Sequence, residues 1–114
     1  MPYVNASVTE KVSPEKEKEL GRLLGEAIEI FHGKSEKWLM IKIDDCARIT
    51  FAGDSEKPAA MIEVMIFGSA KDAEYDRMTA RLCDVFGSSL GIPRDRIYVK
   101  YGECDRWGWN GMNF

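Results

Sequence analysis

The chain has 114 residues, 45% hydrophobic and 31% charged, the balance of one globular domain rather than of a disordered segment. Its 16 Lys and Arg against 19 Asp and Glu leave a net charge of −3; this argues against a nucleic-acid partner, and no apolar run reaches the span of a membrane helix. The start Met1-Pro2-Tyr3-Val4-Asn5 has neither the basic region nor the apolar stretch of a secretory signal, so a cytoplasmic location is expected, with export without a signal peptide as the alternative.

Strands are predicted at Pro2–Val8, Trp38–Ile43, Ala59–Phe67 and Ile97–Tyr101, with a short one at Ile49–Phe51. Met61 through Phe67 is apolar at nearly every position, which predicts a strand covered on both faces. Between Ser13 and Phe31, Leu20, Leu23, Leu24, Ala27, Ile28 and Phe31 recur at the spacing of one helix face. Ser13 suits the cap, Pro14 the first helical position, Glu15 and Glu17 the positive dipole end, and Gly33 the stop. A second helix is predicted from Lys71 to Leu90, with Ser69 and Asp72 at its start and Gly91 at its end.

These elements repeat at an offset of 58 residues. Gly33-Lys34-Ser35 answers to Gly91-Ile92-Pro93, and Leu39 through Ile43 answers to Ile97 through Tyr101. Leu20, Leu24, Ala27 and Ile28 fall opposite Met78, Leu82, Val85 and Phe86. Each half, about 2–58 and 59–101, therefore reads as a βαβ unit. The expected fold is a single α+β domain over residues 1–114, with a four-stranded mixed sheet and two helices on one face. That leaves the other sheet face bare, and a chain this short buries little surface by itself. Further copies of the chain are the economical cover.

Cys46, Cys83 and Cys104, with the single His32, form no close pair of zinc ligands. They read as idle thiols of a reducing compartment, and no metal or organic cofactor is expected. Pro2 follows the initiator methionine, so methionine removal would expose a secondary amine. An α-amino group titrates nearer neutrality than lysine, and an apolar pocket beside a cation lowers it further. A neutral amine can act as a general base. Many chains begin Met-Pro, however, and the dipeptide by itself specifies nothing. Lys34 equally suits a helix C-terminus, as does His32. Tyr98 and Lys100 share one strand face, where Lys100 can equally face solvent. Trp107 and Trp109 suit interface packing.

Met1-Pro2 before an apolar strand, His32-Gly33-Lys34, Ile49-Thr50-Phe51-Ala52-Gly53, Phe67-Gly68, Gly91 through Val99, and Gly108-Trp109-Asn110-Gly111 through Phe114 follow one another in order. Together they resemble the macrophage migration inhibitory factor family of the tautomerase superfamily, over essentially the whole chain. The resemblance implies a homotrimer around a central barrel, with an active site at each subunit interface and the segment 102–114 contacting a neighbouring subunit. It implies that Pro2 is the catalytic base, that Lys34 holds a substrate carboxylate, and that Phe67, where isoleucine is usual, offers a backbone N–H. Tyr98 would come from the neighbouring subunit. Tyr3, Trp38, Trp107, Trp109 and Phe114 would form the pocket wall. Two departures stand out: Ala59-Ala60-Met61-Ile62 replaces a Cys-x-x-Cys, and Lys100 stands where an asparagine is usual. A pocket-facing Lys100 would add a second cation. The implied function is a phenylpyruvate-type keto–enol tautomerase acting on small aromatic α-keto acids. A cytokine-like ligand for a receptor protein is the alternative, and a ferredoxin-like regulatory domain a weaker third.

Overall fold

Side-chain alternation sets the sheet. In the computed structural model, which describes all 114 residues, β1 (Pro2–Val8) buries Pro2, Val4, Ala6 and Val8 and leaves the residues between them half-buried. β3 (Ala60–Phe67) does the same with Ala60, Ile62, Val64 and Ile66. The apolar run of β3 is thus covered on one face only within the chain. Its Met61, Glu63, Met65 and Phe67 belong to the other face and stay half-buried.

α1 (Pro14–Ala27) starts as its caps dictate: the Ser13 hydroxyl accepts the Lys16 N–H at 3.2 Å, and Pro14 needs no partner. It does not run on to Gly33. After Ala27 the backbone tightens into a 3₁₀ turn, Ile28–Ile30. Residues three apart eclipse in that geometry, which carries Ile28 and Phe31 into the core together, both fully buried. Gly33, at φ +80°, serves the turn that follows. α2 (Asp72–Leu90) is capped by Lys71 rather than by Ser69 or Asp72, because Glu74 folds back to accept the Lys71 N–H at 2.9 Å. Gly91 closes it at φ +69°, giving its N–H to the Gly87 carbonyl at 3.0 Å.

β2 (Met40–Asp44) begins two residues later than predicted, since Glu36–Trp38 forms a 3₁₀ turn closed by Leu39 N–H to the Glu36 carbonyl. β4 (Ile97–Cys104) runs three residues further than predicted. Ile49–Phe51 is no strand: only Phe51 bridges, to Asp54, across a turn whose Ala52 and Gly53 both have positive φ. A small hairpin, β5 (Gly108–Trp109) and β6 (Met112–Asn113), is an addition to the predicted elements. Asn110-Gly111 makes its turn, at φ +51° and +81°, the left-handed pair that two-residue hairpins favour.

The four long strands lie in the order β2-β1-β3-β4. β1 and β2 are parallel across α1, β3 and β4 are parallel across α2, and β1 meets β3 antiparallel. The mixed sheet of two βαβ units is therefore as predicted. One core of 19 residues joins the buried strand positions to Leu20, Leu24 and Ala27 of α1 and Met78, Leu82, Val85 and Phe86 of α2. At about 25 cal/mol per Å² this burial is the main force holding the sheet to the helices. On the uncovered face the register aligns three rows: Met40–Tyr3–Met65–Gly102, then Lys42–Asn5–Glu63–Lys100, then Asp44–Ser7–Met61–Tyr98. No helix is long and apolar enough to cross a membrane.

Candidate active site

Pro2 opens β1 opposite Ile66 and is buried. The residue before it lies across the same spot: the Met1 carbonyl accepts the Phe67 N–H at 3.0 Å. Burial first, and the nearby Lys34 ammonium second, hold the Met1 amine below the usual range of a chain terminus.

Lys34 reaches this spot from the turn after α1. Its own N–H goes to the Phe31 carbonyl at 3.0 Å, Gly33 supplies the positive φ, and the ammonium donates to the Phe67 carbonyl at 2.7 Å. Phe67 is therefore held by both of its backbone polar groups. The turn is pinned from the other half of the molecule. One oxygen of Glu74 accepts the His32 N–H at 2.8 Å while the other accepts that of Lys71 at 2.9 Å. The Lys71 N–H first, and the His32 N–H next, keep this carboxyl below the ordinary carboxylate range. Sequence reasoning missed Glu74. Its one legible sign was its place three residues into a helix, where a capping glutamate belongs; its second partner, 42 residues away, left no sign.

Beside Pro2 opens a cavity of about 450 Å³, lined by Tyr3, Trp38, Leu39, Met40, Trp107 and Trp109, together with Met1, Pro2, Lys37 and Gly108. Its aromatic wall is continuous. The Trp38 and Trp109 rings meet edge-on at 5.0 Å, Trp109 stacks on Phe114 at 6.1 Å, and Phe114 lies 6.0 Å from Phe67. The β5–β6 hairpin brings these rings together, and the Phe114 N–H returns to the Trp107 carbonyl at 2.9 Å. The segment 102–114 thus packs on its own chain's pocket. A larger depression of about 550 Å³, around Thr9, Arg48, Glu56 and Lys57, is polar; its Thr9 hydroxyl accepts the Ala59 N–H at 3.0 Å and lies 3.4 Å from a Glu10 carboxylate oxygen.

Tyr98 and Lys100 are not part of this assembly. Tyr98 shares its row with Ser7, five residues along β1 from Pro2, so it stands about 17 Å down the strand direction. Lys100 stands beside Glu63 in the middle row. Both side chains are exposed, Tyr98 by 64%. The Tyr98 ring rests edge-on against Phe51 at 5.0 Å, and Phe51 sits in a loop gathered by Arg96. That guanidinium is buried and donates to the carbonyls of Phe51, Asp54, Lys57 and Pro58 at 2.9–3.1 Å. Arg96 is a second residue the sequence reading passed over, since an arginine next to a strand is ordinarily a surface residue.

One chain thus brings Pro2, Lys34, Phe67, Tyr3, Trp38, Trp107, Trp109 and Phe114 together and leaves Tyr98 and Lys100 apart. His32 is exposed and uses only its backbone N–H. No three His, Cys, Asp or Glu side chains stand close enough to hold a metal ion.

The family model described as macrophage migration inhibitory factor (MIF) matches residues 1–114. The chain is 31% identical to the macrophage migration inhibitory factor of Xenopus laevis over 84 residues, covering 72% of each protein. Among solved structures it superimposes on the Leishmania major protein MIF2 with a TM-score of 0.93 at 32% identity, over 100% of this chain and 97% of that one. A macrophage migration inhibitory factor homologue from Prochlorococcus marinus gives a TM-score of 0.78 at 29% identity, over 98% of each chain.

Proposed function

The chain belongs to the macrophage migration inhibitory factor family of the tautomerase superfamily, and from that premise we propose that it is a keto–enol tautomerase of small aromatic α-keto acids, with Pro2 as the general base. The observation that carries this reading is the convergence of Pro2, the Lys34 ammonium and the Phe67 N–H where Met1 now lies. Removing Met1 frees two groups at once, the secondary amine of Pro2 and the N–H that the Met1 carbonyl occupies.

The chemistry follows from these positions. Neutral Pro2 takes the proton of the enol hydroxyl and returns a proton to the adjacent carbon, so the enol becomes the ketone with no net loss of atoms. Lys34 spends one donor on the Phe67 carbonyl and has two left for a carboxylate. The freed Phe67 N–H steadies the negative charge that develops on the oxygen. The ring of the substrate lies among Tyr3, Trp38, Trp107 and Trp109.

Tyr98 and Lys100 join such a site only from another copy, because their own Pro2 is too far away. The bare sheet face, with its exposed Met40 and Tyr98, is the surface on which a homotrimer would close.

Intact mass establishes whether Met1 is gone. Phenylpyruvate ketonisation, followed by ultraviolet absorbance, then compares the protein with Pro2→Ala. A fall of about 10²-fold or more is expected from loss of a positioned base. Equal rates would remove Pro2 from the mechanism; no turnover by either would favour a receptor-binding role.

A further inference from the structure

The cavity beside Pro2 has an uneven lining. Apart from the chain terminus, Lys37 is its one charged contributor, and no acid faces it. Lys37 stands in the 3₁₀ turn Glu36–Trp38, its ammonium 5.3 Å from the centre of the Trp38 ring. Its charge is uncompensated. Each of the four ion pairs in the chain lies between other residues, and the neighbouring Glu36 lays its carboxylate against Gly25 of α1. A cation poised over an indole, beside a cavity walled by three tryptophans, favours an anion carried on a flat aromatic body.

Lys34 does not line this cavity. It meets the chain terminus and the Phe67 carbonyl instead. The two lysines, three residues apart in sequence, therefore address different places. We propose that Lys37 is a specificity-determining residue that binds a second anionic group, so that the preferred ligands are aromatic acids with a further acid group on the ring, remote from the one held by Lys34. This rests on the reading that aromatic acids enter the Pro2 cavity. It adds, on the same chain as Pro2, a cation distinct from Lys100, which reaches such a site only from another copy. Lys37 is exposed, so its attraction is screened by salt and modest in size.

The tryptophans supply a readout independent of turnover. The chain has 3 of them, and Trp38, Trp107 and Trp109 all line the cavity. Their fluorescence is titrated with phenylacetate and with 4-carboxyphenylacetate, in the processed protein and in Lys37→Gln and Lys37→Glu. The diacid is expected to bind about fivefold more tightly than the monoacid at low salt, with the gap closing as salt rises. Lys37→Gln is expected to abolish the gap, and Lys37→Glu to make phenylacetate the better ligand. A gap unchanged in Lys37→Gln overturns the proposal, as does the absence of any gap in the unsubstituted protein. Phenylpyruvate turnover on the same samples separates the two readings. Turnover with an unchanged gap removes Lys37 alone. Neither quenching nor turnover in the unsubstituted protein removes both the role of Lys37 and the tautomerase.

Discussion

The two halves of the molecule share one topology and divide the work. In each, a strand leads through a helix to a glycine at positive φ and then to a parallel strand. After Gly33 the first half continues with Lys34, whose ammonium turns to the chain terminus. After Gly91 the second continues with Ile92, which is buried in the core. The same turn presents a cation in one half and a core side chain in the other. The first strand of the first half begins at Pro2, directly after Met1, whereas the equivalent strand of the second begins inside the chain at Ala60. Symmetry of fold therefore does not extend to chemistry. The second half acts on the site from behind, through Phe67 and Glu74.

Equivalent substitutions in the two halves test this division. Leu24 and Leu82, related by the 58-residue offset, are both fully buried. Each Leu→Ala change is expected to cost about 2–5 kcal/mol in chemical denaturation, and similar costs would show that the halves share the core equally. Lys34→Gln should leave the fold intact and lower kcat/KM about 10- to 100-fold, by loss of a charge-assisted hydrogen bond to the carboxylate. Lys34 also helps burial hold the Met1 amine low; the Pro2 amine exposed by processing is expected to feel the same ammonium, so its pKa should rise without Lys34. The acid limb of the pH–rate profile should then move to higher pH, and an unmoved limb would separate Lys34 from the base.

Gly33→Ala and Gly91→Ala both force a side chain into positive φ where space itself is open, at about 1 kcal/mol each. Only Gly33→Ala is expected to lower kcat/KM as well, since Lys34 follows it. Equal activity in the two variants would show that the turn does not position the lysine.

The smallest effect concerns Glu74. Its folded pKa lies below the ordinary value of about 4.3. Its contribution to stability is therefore present above that value and lost as pH falls through the folded pKa. Glu74→Gln should reduce the acid sensitivity of unfolding below about pH 4, read as a shallower fall of the melting temperature with pH.

Much of this was legible in residue order. The three-four spacing from Leu20 to Phe31, the Ser13-Pro14 start and the alternation in β1 are local rules written locally, and the internal repeat converts them into paired βαβ units. The ends of elements were less legible. α1 tightens after Ala27 because Ile28 and Phe31 both seek the core, and the Ile49–Phe51 segment turns back because Arg96 gathers its carbonyls. Pro2, Lys34 and the aromatic wall were expectations carried by the motif resemblance. Glu74, Arg96 and Lys37 were not, since their meaning depends on partners far away or on the shape of a cavity.

By itself the order of residues determined two helices, four strands and their repeat, because each depends on neighbours within a few turns or on alternation along one strand. Tertiary structure alone decided which of the lysines face the site. A lysine's stem is long and flexible, and nothing local says where its charge will settle. The folded chain lays Lys34 on the Phe67 carbonyl, Lys37 over Trp38, and Lys100 on the bare face beside Glu63. That difference in place gives three similar residues three different electrostatic tasks.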